Sequence, residues 1–203
     1  MTTACFLNLA FAYKMTKADI RQLYKAKRAQ LSPYDLTKIS AQIQGFVLDY
    51  FSFSSKYVSI FLPIEQQKEI STYGILEDIL LKGGHPVLSK ANFTDHSLTL
   101  YHYEHPSQLE ISAYGIPEPK HGRTILASKL DYVIVPLLGV DSTGQRVGYG
   151  KGFYDRLLKQ CKPECLFIGL HLFDEFVSIS DLHEADMPLH LCFTPGGVYD
   201  FRK

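Results

Sequence analysis

The chain has few cysteines, no long apolar run and no excess charge of either sign. Its four cysteines, at positions 5, 161, 165 and 192, are too few and too scattered to form a disulfide framework in 203 residues. A reduced, cytoplasmic setting is therefore expected. No segment reaches the roughly 20 apolar residues that span a bilayer, so no membrane association is expected. Lys plus Arg equal Asp plus Glu at 21 each, which argues against nucleic acid as a partner.

The first residues are a poor match to a secretory signal. The stretch 4–13 is apolar and Ala10-Phe-Ala12 resembles a signal-peptidase site, but the stretch is short and no basic residue precedes it. We expect residues 1–15 to be an extension, either disordered or preceding a true start at Met15. With 46% apolar and 21% charged residues, positions 16–203 are expected to form one globular domain.

Two common phosphate-binding motifs are also missing. There is no Gly-x-x-x-x-Gly-Lys-Ser/Thr run, and the dinucleotide pattern fails because Phe153 stands where its third glycine would be. The segment 131–160 nevertheless has an apolar strand pattern at 132–135, then a glycine-rich loop, then a helical pattern from Phe153. Strand, basic glycine loop and helix form the arrangement that binds phosphate.

Charge within this loop supports phosphate binding. Gly144, Gly148, Gly150 and Gly152 alternate with other residues that include Arg146 and Lys151. Glycines let backbone N–H groups approach an anion, while the cations add full charge. A simple turn between sheet and helix is the alternative, but a turn does not require the cations. Asp155 fits two interpretations, an acid favoured by the helix start or a Mg²⁺ ligand beside phosphate.

Strand and helix patterns alternate along the chain. Helices are predicted at 17–30, from the spacing of Ile20, Leu23, Tyr24, Lys27 and Leu31, and at 33–51, after a Ser32 cap. A third helix is predicted to start at a Ser71 or Thr72 cap and reach Lys82. Strands are predicted at 57–62, 86–90, 98–103, 132–135, 165–170 and 191–194, with loops at 104–130 and 171–189. This order predicts an α/β domain with a largely parallel sheet.

The central segment resembles a known family signature. Val135-Pro-Leu-Leu-Gly-Val-Asp-Ser-Thr-Gly-Gln-Arg-Val-Gly-Tyr-Gly-Lys-Gly-Phe-Tyr-Asp-Arg156 is similar to that of the 5-formyltetrahydrofolate cyclo-ligase (5,10-methenyltetrahydrofolate synthetase) family. Three flanking segments match in order: Lys17-Ala-Asp-Ile-Arg21, Phe61-Leu-Pro63 with Glu69-Ile-Ser-Thr72, and Asp186-Met-Pro-Leu189. The resemblance covers most of residues 16–195.

This resemblance implies a fold and a reaction. The fold is a single three-layer α/β/α domain with a mostly parallel central sheet, of the NagB/RpiA/CoA-transferase type. The reaction converts 5-formyltetrahydrofolate, with or without a polyglutamate tail, and ATP into 5,10-methenyltetrahydrofolate, ADP and phosphate. The formyl oxygen is phosphorylated and N10 then closes the ring, with Mg²⁺ as cofactor. We expect the chain to act as a monomer.

The resemblance also assigns residues to each part of the site. Lys151 and Arg146 are expected to be catalytic and Asp155 and Asp186 to hold the metal. ATP is expected to contact Lys17, Arg21, Arg146, Gly148, Gly150, Lys151, Gly152 and Tyr154. The folate is expected to contact Leu62, Glu69, Tyr149, Gly150, Lys151, Gly152 and Phe153. Phe153 and Tyr154 could equally be packing residues.

Some features depart from the family pattern, and alternatives remain. The loop 63–69 is about two residues longer than usual, His190 replaces an acid, and Thr194-Pro195 replaces Thr-Glu. Another ATP-dependent ligase or kinase could use the same loop, and a silent nucleotide- or RNA-binding module is a second alternative. Zinc at the pairs Cys161/Cys165 or His102/His105 is disfavoured, because neither pair has partners at a recognised spacing.

Overall fold

The structure is a computed structural model, and it describes residues 14–202. Predictions for residues 1–13 fall outside this range. The helices are α1 Lys17–Gln30, α2 Pro33–Tyr50, α3 Tyr73–Leu81 and α4 Phe153–Leu158. The strands are β1 Lys14–Met15, β2 Tyr57–Ser59, β3 His85–Asn92, β4 Ser97–His102, β5 Leu109–Ile111, β6 Pro117–Pro119, β7 Tyr132–Pro136, β8 Gly139–Val140, β9 Arg146–Val147, β10 Leu166–Leu170, β11 Ser178–Ile179, β12 Leu191–Thr194 and β13 Gly197–Asp200.

A seven-stranded sheet in the order β13-β12-β10-β7-β2-β3-β4 forms the centre of the fold. The strands from β12 to β3 are parallel, and β13 and β4 add antiparallel edges. Helices α2 and α3 pack on one face of the sheet and α4 on the other. Successive residues of β7 alternate between these faces: Ile134 packs in the cluster with α2 and α3, and Val133 and Val135 pack in the cluster with α4. The predicted three-layer α/β fold with a mostly parallel sheet is confirmed.

Helix α1 lies beside this sheet, against the small β8–β9 hairpin. Thr16 and Asp19 form a capping box, with each side chain accepting the other's backbone N–H, so the first helical residue is Lys17. The buried side of α1 carries Ile20, Tyr24 and Arg28. The prediction that Lys27 lies on the buried face of α1 was therefore wrong. Arg28 takes that place, because it continues the four-residue spacing of Ile20 and Tyr24.

Other local predictions need correction. Thr72 precedes α3 but does not cap it, because its hydroxyl donates to the carbonyl of Phe61 instead. Strand β2 ends at Ser59, three residues earlier than predicted. The predicted loop 104–130 contains the β5–β6 hairpin, and the predicted loop 171–189 contains β11, which pairs with β1. Among residues 14–202, no helix is long and apolar enough to cross a membrane.

Candidate active site

A cavity of about 580 Å³ opens beyond the carboxyl ends of β2 and β7 and beside the middle of β3. Helix α1, the loop between β9 and α4, and the β5–β6 hairpin complete its walls. Ligands of open α/β sheets bind at this end of the strands. All residues assigned to the site from sequence line this one cavity: Lys17, Arg21, Leu62, Glu69, Arg146, Gly148, Tyr149, Gly150, Lys151, Gly152, Phe153, Tyr154, Asp155 and Asp186.

The backbone of the glycine-rich loop adopts conformations that favour glycine at two positions. Gly150 and Gly152 have φ of 91° and 71°, in the left-handed region that other residues rarely adopt. Arg21 braces the loop from α1, since its Nε donates to the carbonyl of Gly148 at 2.8 Å. Lys151 extends from this loop as an exposed residue, and within residues 14–202 no acidic group forms an ion pair with it.

Two predicted phosphate ligands, Lys17 and Arg146, form ion pairs with the two predicted metal ligands. Lys17 forms an ion pair with Asp186, and Arg146 Nη2 donates to Asp155 Oδ1 at 2.8 Å. Arg146 is only 8% exposed and also donates to the carbonyl of Met187. Burial opposes ionisation of Asp186, but hydrogen bonds from Lys17 and from the His183 N–H hold its pKa below the usual range.

The metal prediction depends on these two carboxylates. Both line the cavity, and the Met187 N–H donates to Asp155 at 3.2 Å, which places Asp155 beside the segment that carries Asp186. Residues 14–202 contain no cluster of three or more His, Cys, Asp or Glu side chains able to hold a metal ion. Two carboxylates with phosphate oxygens are nevertheless a usual ligand set for Mg²⁺. The residues present therefore fit a magnesium ion that is shared with a nucleotide.

A buried polar network lies behind the loop. Glu69, 5% exposed, accepts hydrogen bonds from the Tyr149 hydroxyl and from the Ile64 N–H, one on each carboxylate oxygen. Arg28 donates to the Tyr149 hydroxyl at 3.2 Å. Burial raises the pKa of Glu69, although the hydrogen bonds and the charge of Arg28 oppose this shift. Tyr149 thus links α1, the glycine loop and the segment before α3.

Phe153 and Tyr154, predicted as ligand contacts or packing residues, both line the cavity. The Phe153 ring lies 5.3 Å from the Phe93 ring in an edge-to-face arrangement at the cavity wall. Tyr154 lines the cavity and also packs against the cluster on the α4 face of the sheet, so its two interpretations both remain. His190 is not part of the wall, since its Nδ1 accepts the N–H of Phe167 at 2.9 Å within the sheet.

Sequence reasoning missed Arg28, which lies in the buried network behind the loop, and several residues of the cavity wall. Arg28 could have been found, because a charge four residues after Tyr24 falls on the buried face of α1. The missed wall residues are Lys25, Phe93, Tyr114 and Glu118. They lie on an exposed helix face or in segments interpreted as turn and loop, where no periodicity indicates which side chains point inwards.

The fold and cavity together define a class: an α/β protein with a basic, glycine-rich loop at the strand ends, as in enzymes that act on phosphate-bearing small molecules. The model of the 5-formyltetrahydrofolate cyclo-ligase family matches residues 13–194. The chain therefore belongs to the 5-formyltetrahydrofolate cyclo-ligase family.

Individual relatives agree with this assignment. A 5-formyltetrahydrofolate cyclo-ligase of Escherichia coli is 28% identical over 186 residues, which cover 88% of this chain and all of the relative. The NMR structure of 5,10-methenyltetrahydrofolate synthetase from Aquifex aeolicus is similar with a TM-score of 0.77 and 28% identity, over 93% of this chain and 94% of that one. A 5,10-methenyltetrahydrofolate synthetase from Mycoplasma pneumoniae, at 21% identity, a TM-score of 0.70 and coverage of 88% and 98%, shares the fold.

Proposed function

We propose that this chain converts 5-formyltetrahydrofolate and ATP into 5,10-methenyltetrahydrofolate, ADP and phosphate. The observation that carries the proposal is the convergence of the four predicted phosphate-binding cations and the two predicted metal-binding carboxylates with the glycine-rich loop on one largely apolar cavity. Cations suit the phosphates of ATP, and apolar surface suits a folate ring system. Relatives that match 88% and 93% of the chain carry the name of this activity.

The proposed chemistry follows from the weak reactivity of an N-formyl group. This group is an amide, so its carbon is a poor electrophile and its oxygen a poor leaving group. Transfer of the γ-phosphoryl group to the formyl oxygen releases ADP and creates an imidate-like phosphate. N10 then attacks the activated carbon and loses its proton, the five-membered ring closes and the C–O bond breaks with release of phosphate.

Catalysis of this transfer requires positioning and charge neutralisation. Lys151 is proposed to follow negative charge onto the transferred group, with backbone N–H groups of 148–152 around the oxygens. Lys17 and Arg21 would contact the phosphates from α1. Arg146 is proposed to bind the same phosphates. To do so, its guanidinium must replace its hydrogen bond to Asp155 or to the Met187 carbonyl with one to a phosphate oxygen.

Asp155 and Asp186 are proposed to hold Mg²⁺ together with ATP. When bound, the ion would neutralise phosphate charge. The two ion pairs that these acids form with Arg146 and Lys17 hold both carboxylates at the cavity wall before nucleotide arrives. Glu69 and Tyr149 remain proposed folate contacts, with the Arg28 network fixing their positions.

A direct assay tests this function. Purified protein mixed with 5-formyltetrahydrofolate, ATP and Mg²⁺ should develop the absorbance of methenyl-folate, with one ADP and one phosphate released per product. Omission of ATP or of the folate should abolish the signal. ATP hydrolysis without methenyl-folate formation would instead indicate another ATP-dependent ligase or kinase, and absence of both would overturn the proposal.

A further inference from the structure

Glu118 is a buried carboxylate in the cavity wall to which the proposed chemistry gives no role. It lies on β6 and is only 4% exposed. Strand β2 pairs with β3 only as far as Val87, so the later residues of β3 have a free edge on that side. Glu118 occupies this edge, because its Oε1 accepts the Ala91 N–H at 2.9 Å.

The second oxygen of Glu118 has a different environment. Within residues 14–202 no donor is hydrogen-bonded to Oε2, and the atom is not among the enclosed unpartnered ones. Part of the Oε2 surface is therefore accessible, and Glu118 itself lines the cavity. Glu69, the other glutamate of this wall, differs because both of its oxygens already accept hydrogen bonds from Tyr149 and Ile64.

The surroundings of Glu118 favour a flat ring with N–H groups on one edge. Leu88, Leu98 and Phe93 contribute apolar surface to the same cavity. Burial raises the pKa of Glu118, while the Ala91 N–H and the charge of Lys90 oppose this shift. A buried carboxylate is stabilised by further donors, and its oxygens can accept more than one hydrogen bond each. Its negative charge disfavours phosphates and glutamyl carboxylates at this end of the cavity.

We propose that Glu118 binds the 2-aminopyrimidinone edge of the folate pterin, accepting hydrogen bonds from N3–H and the 2-amino group. This inference rests on the proposed function, which supplies a ligand with two adjacent donors. It sets the direction of the substrate: the pterin edge lies against β6, and the phosphates of ATP lie at the cationic loop. Glu118 is then a specificity-determining residue.

Binding measurements with Glu118→Gln test the proposal. Glutamine keeps an oxygen for the Ala91 N–H but presents an amide N–H₂ to the ligand donors. Calorimetry should show 5-formyltetrahydrofolate binding weakened about ten- to a hundredfold, the range for losing a hydrogen bond to a charged group. The KM for ATP should stay within about twofold of the wild-type value. Thermal unfolding of the variant checks that it is folded.

Glu110→Gln is the matched control, since Glu110 lies directly opposite Glu118 in the hairpin register but is exposed and paired with Lys90. It should bind folate as the wild type does. An analogue with a 2-methyl group in place of the 2-amino group provides a second arm that needs no mutation. Wild type should bind this analogue at least about tenfold more weakly than the parent, and Glu118→Gln should discriminate less.

Two outcomes would overturn the role of Glu118 alone: an active wild type that binds analogue and parent equally, or a folded Glu118→Gln variant with unchanged folate affinity. An equal loss of parent and analogue in the variant would also count against it, because the 2-amino group would then play no part. Wild-type protein that neither binds nor converts 5-formyltetrahydrofolate would remove the proposed function itself, and with it this inference.

Discussion

Lys17 and Arg146 are paired with the carboxylates of Asp186 and Asp155, whereas Lys151 is exposed on the glycine-rich loop without an acidic partner in the described chain. An arriving nucleotide can therefore contact Lys151 without breaking an existing ion pair. A paired cation that gives up its carboxylate for phosphate leaves that carboxylate in need of another positive partner. A magnesium ion, as proposed above, would meet this need.

Replacement of Lys151 by alanine should lower kcat/KM for ATP by about two orders of magnitude or more, because the variant loses the charge proposed to stabilise the transferred phosphoryl group. Folding should be unaffected, since the side chain is exposed. Methenyl-folate formation measured against ATP concentration checks this. Lys38→Ala, at an exposed position on α2, is the control and should retain wild-type activity. Full activity of Lys151→Ala would remove this lysine from the mechanism.

Asp155→Asn should raise the magnesium concentration needed for half-maximal activity by at least about tenfold, because an amide is a weaker ligand than a carboxylate. The shape of the side chain is kept, so the fold should persist despite the lost charge opposite Arg146. Magnesium titrations at saturating ATP give the readout, with exposed Asp49→Asn as control. An unchanged magnesium requirement, with only reduced stability, would assign Asp155 a purely structural role.

The glycine-rich loop shows how an element fixes the position of functional groups. At Gly150, φ is 91° and an added Cβ would lie 3.0 Å from Cζ of Arg21. At Gly148, no atom lies within 4 Å of such a Cβ and φ is not in the left-handed region. The two glycines lie in one loop but differ in what they require.

Gly150→Ala should therefore cost about 1–2 kcal/mol of unfolding free energy, from the left-handed backbone and from displacement of Arg21. Gly148→Ala should change that free energy by no more than about 0.5 kcal/mol. Urea unfolding of the two variants against wild type measures both. Equal effects at the two positions would contradict the conformational reason given for Gly150.

Sequence patterns predicted the long elements and missed the short ones. Helix α2 was predicted because Ser32 and Pro33 form a strong start signal, and Ser32 accepts the N–H of Asp35 as expected. The β5–β6 hairpin was missed because its strands have three residues each and β6 contains two prolines. Such strands show no alternation, and β6 is joined to β3 by tertiary contacts such as the Ala91–Glu118 hydrogen bond.

At the scale of the molecule, the site is built from segments far apart in sequence. Tyr149 and Glu69 are hydrogen-bonded across 80 positions, and Lys17 and Asp186 are paired across 169. The glycine loop alone indicated phosphate binding, whereas the other site residues were gathered by resemblance to the family. Periodicity could not show that Arg28 faces Tyr149, because that contact depends on how α1 packs against the loop.

The buried core also contains a group that links global stability to pH. His171 is 1% exposed between the rings of Tyr24 and Phe173, and neither ring nitrogen has a hydrogen-bond partner among the described residues. Burial, together with the positive charge of Arg28, lowers the pKa of His171 from 6.5 to about 3. The folded protein thus keeps this ring neutral under conditions where the unfolded chain protonates it.

The sign of the effect follows from proton uptake. Above pH 6.5 neither state binds a proton at His171, and its contribution to stability is fully present; as the pH falls from 6.5 towards 3, only the unfolded state takes up the proton. Each pH unit in this window should then reduce the unfolding free energy by about 1.4 kcal/mol. His171→Leu should remove this slope, and an apolar replacement leaves no buried nitrogen unpaired.

Urea unfolding of wild type and His171→Leu between pH 7 and about pH 4.5 tests the linkage, with His121→Gln as control because His121 is exposed. The wild-type and control curves should fall together, and the His171→Leu curve should fall less steeply whatever its stability at pH 7. A constant offset between variant and wild type at every pH would contradict the prediction, because it would mean that folding does not change the affinity of His171 for a proton.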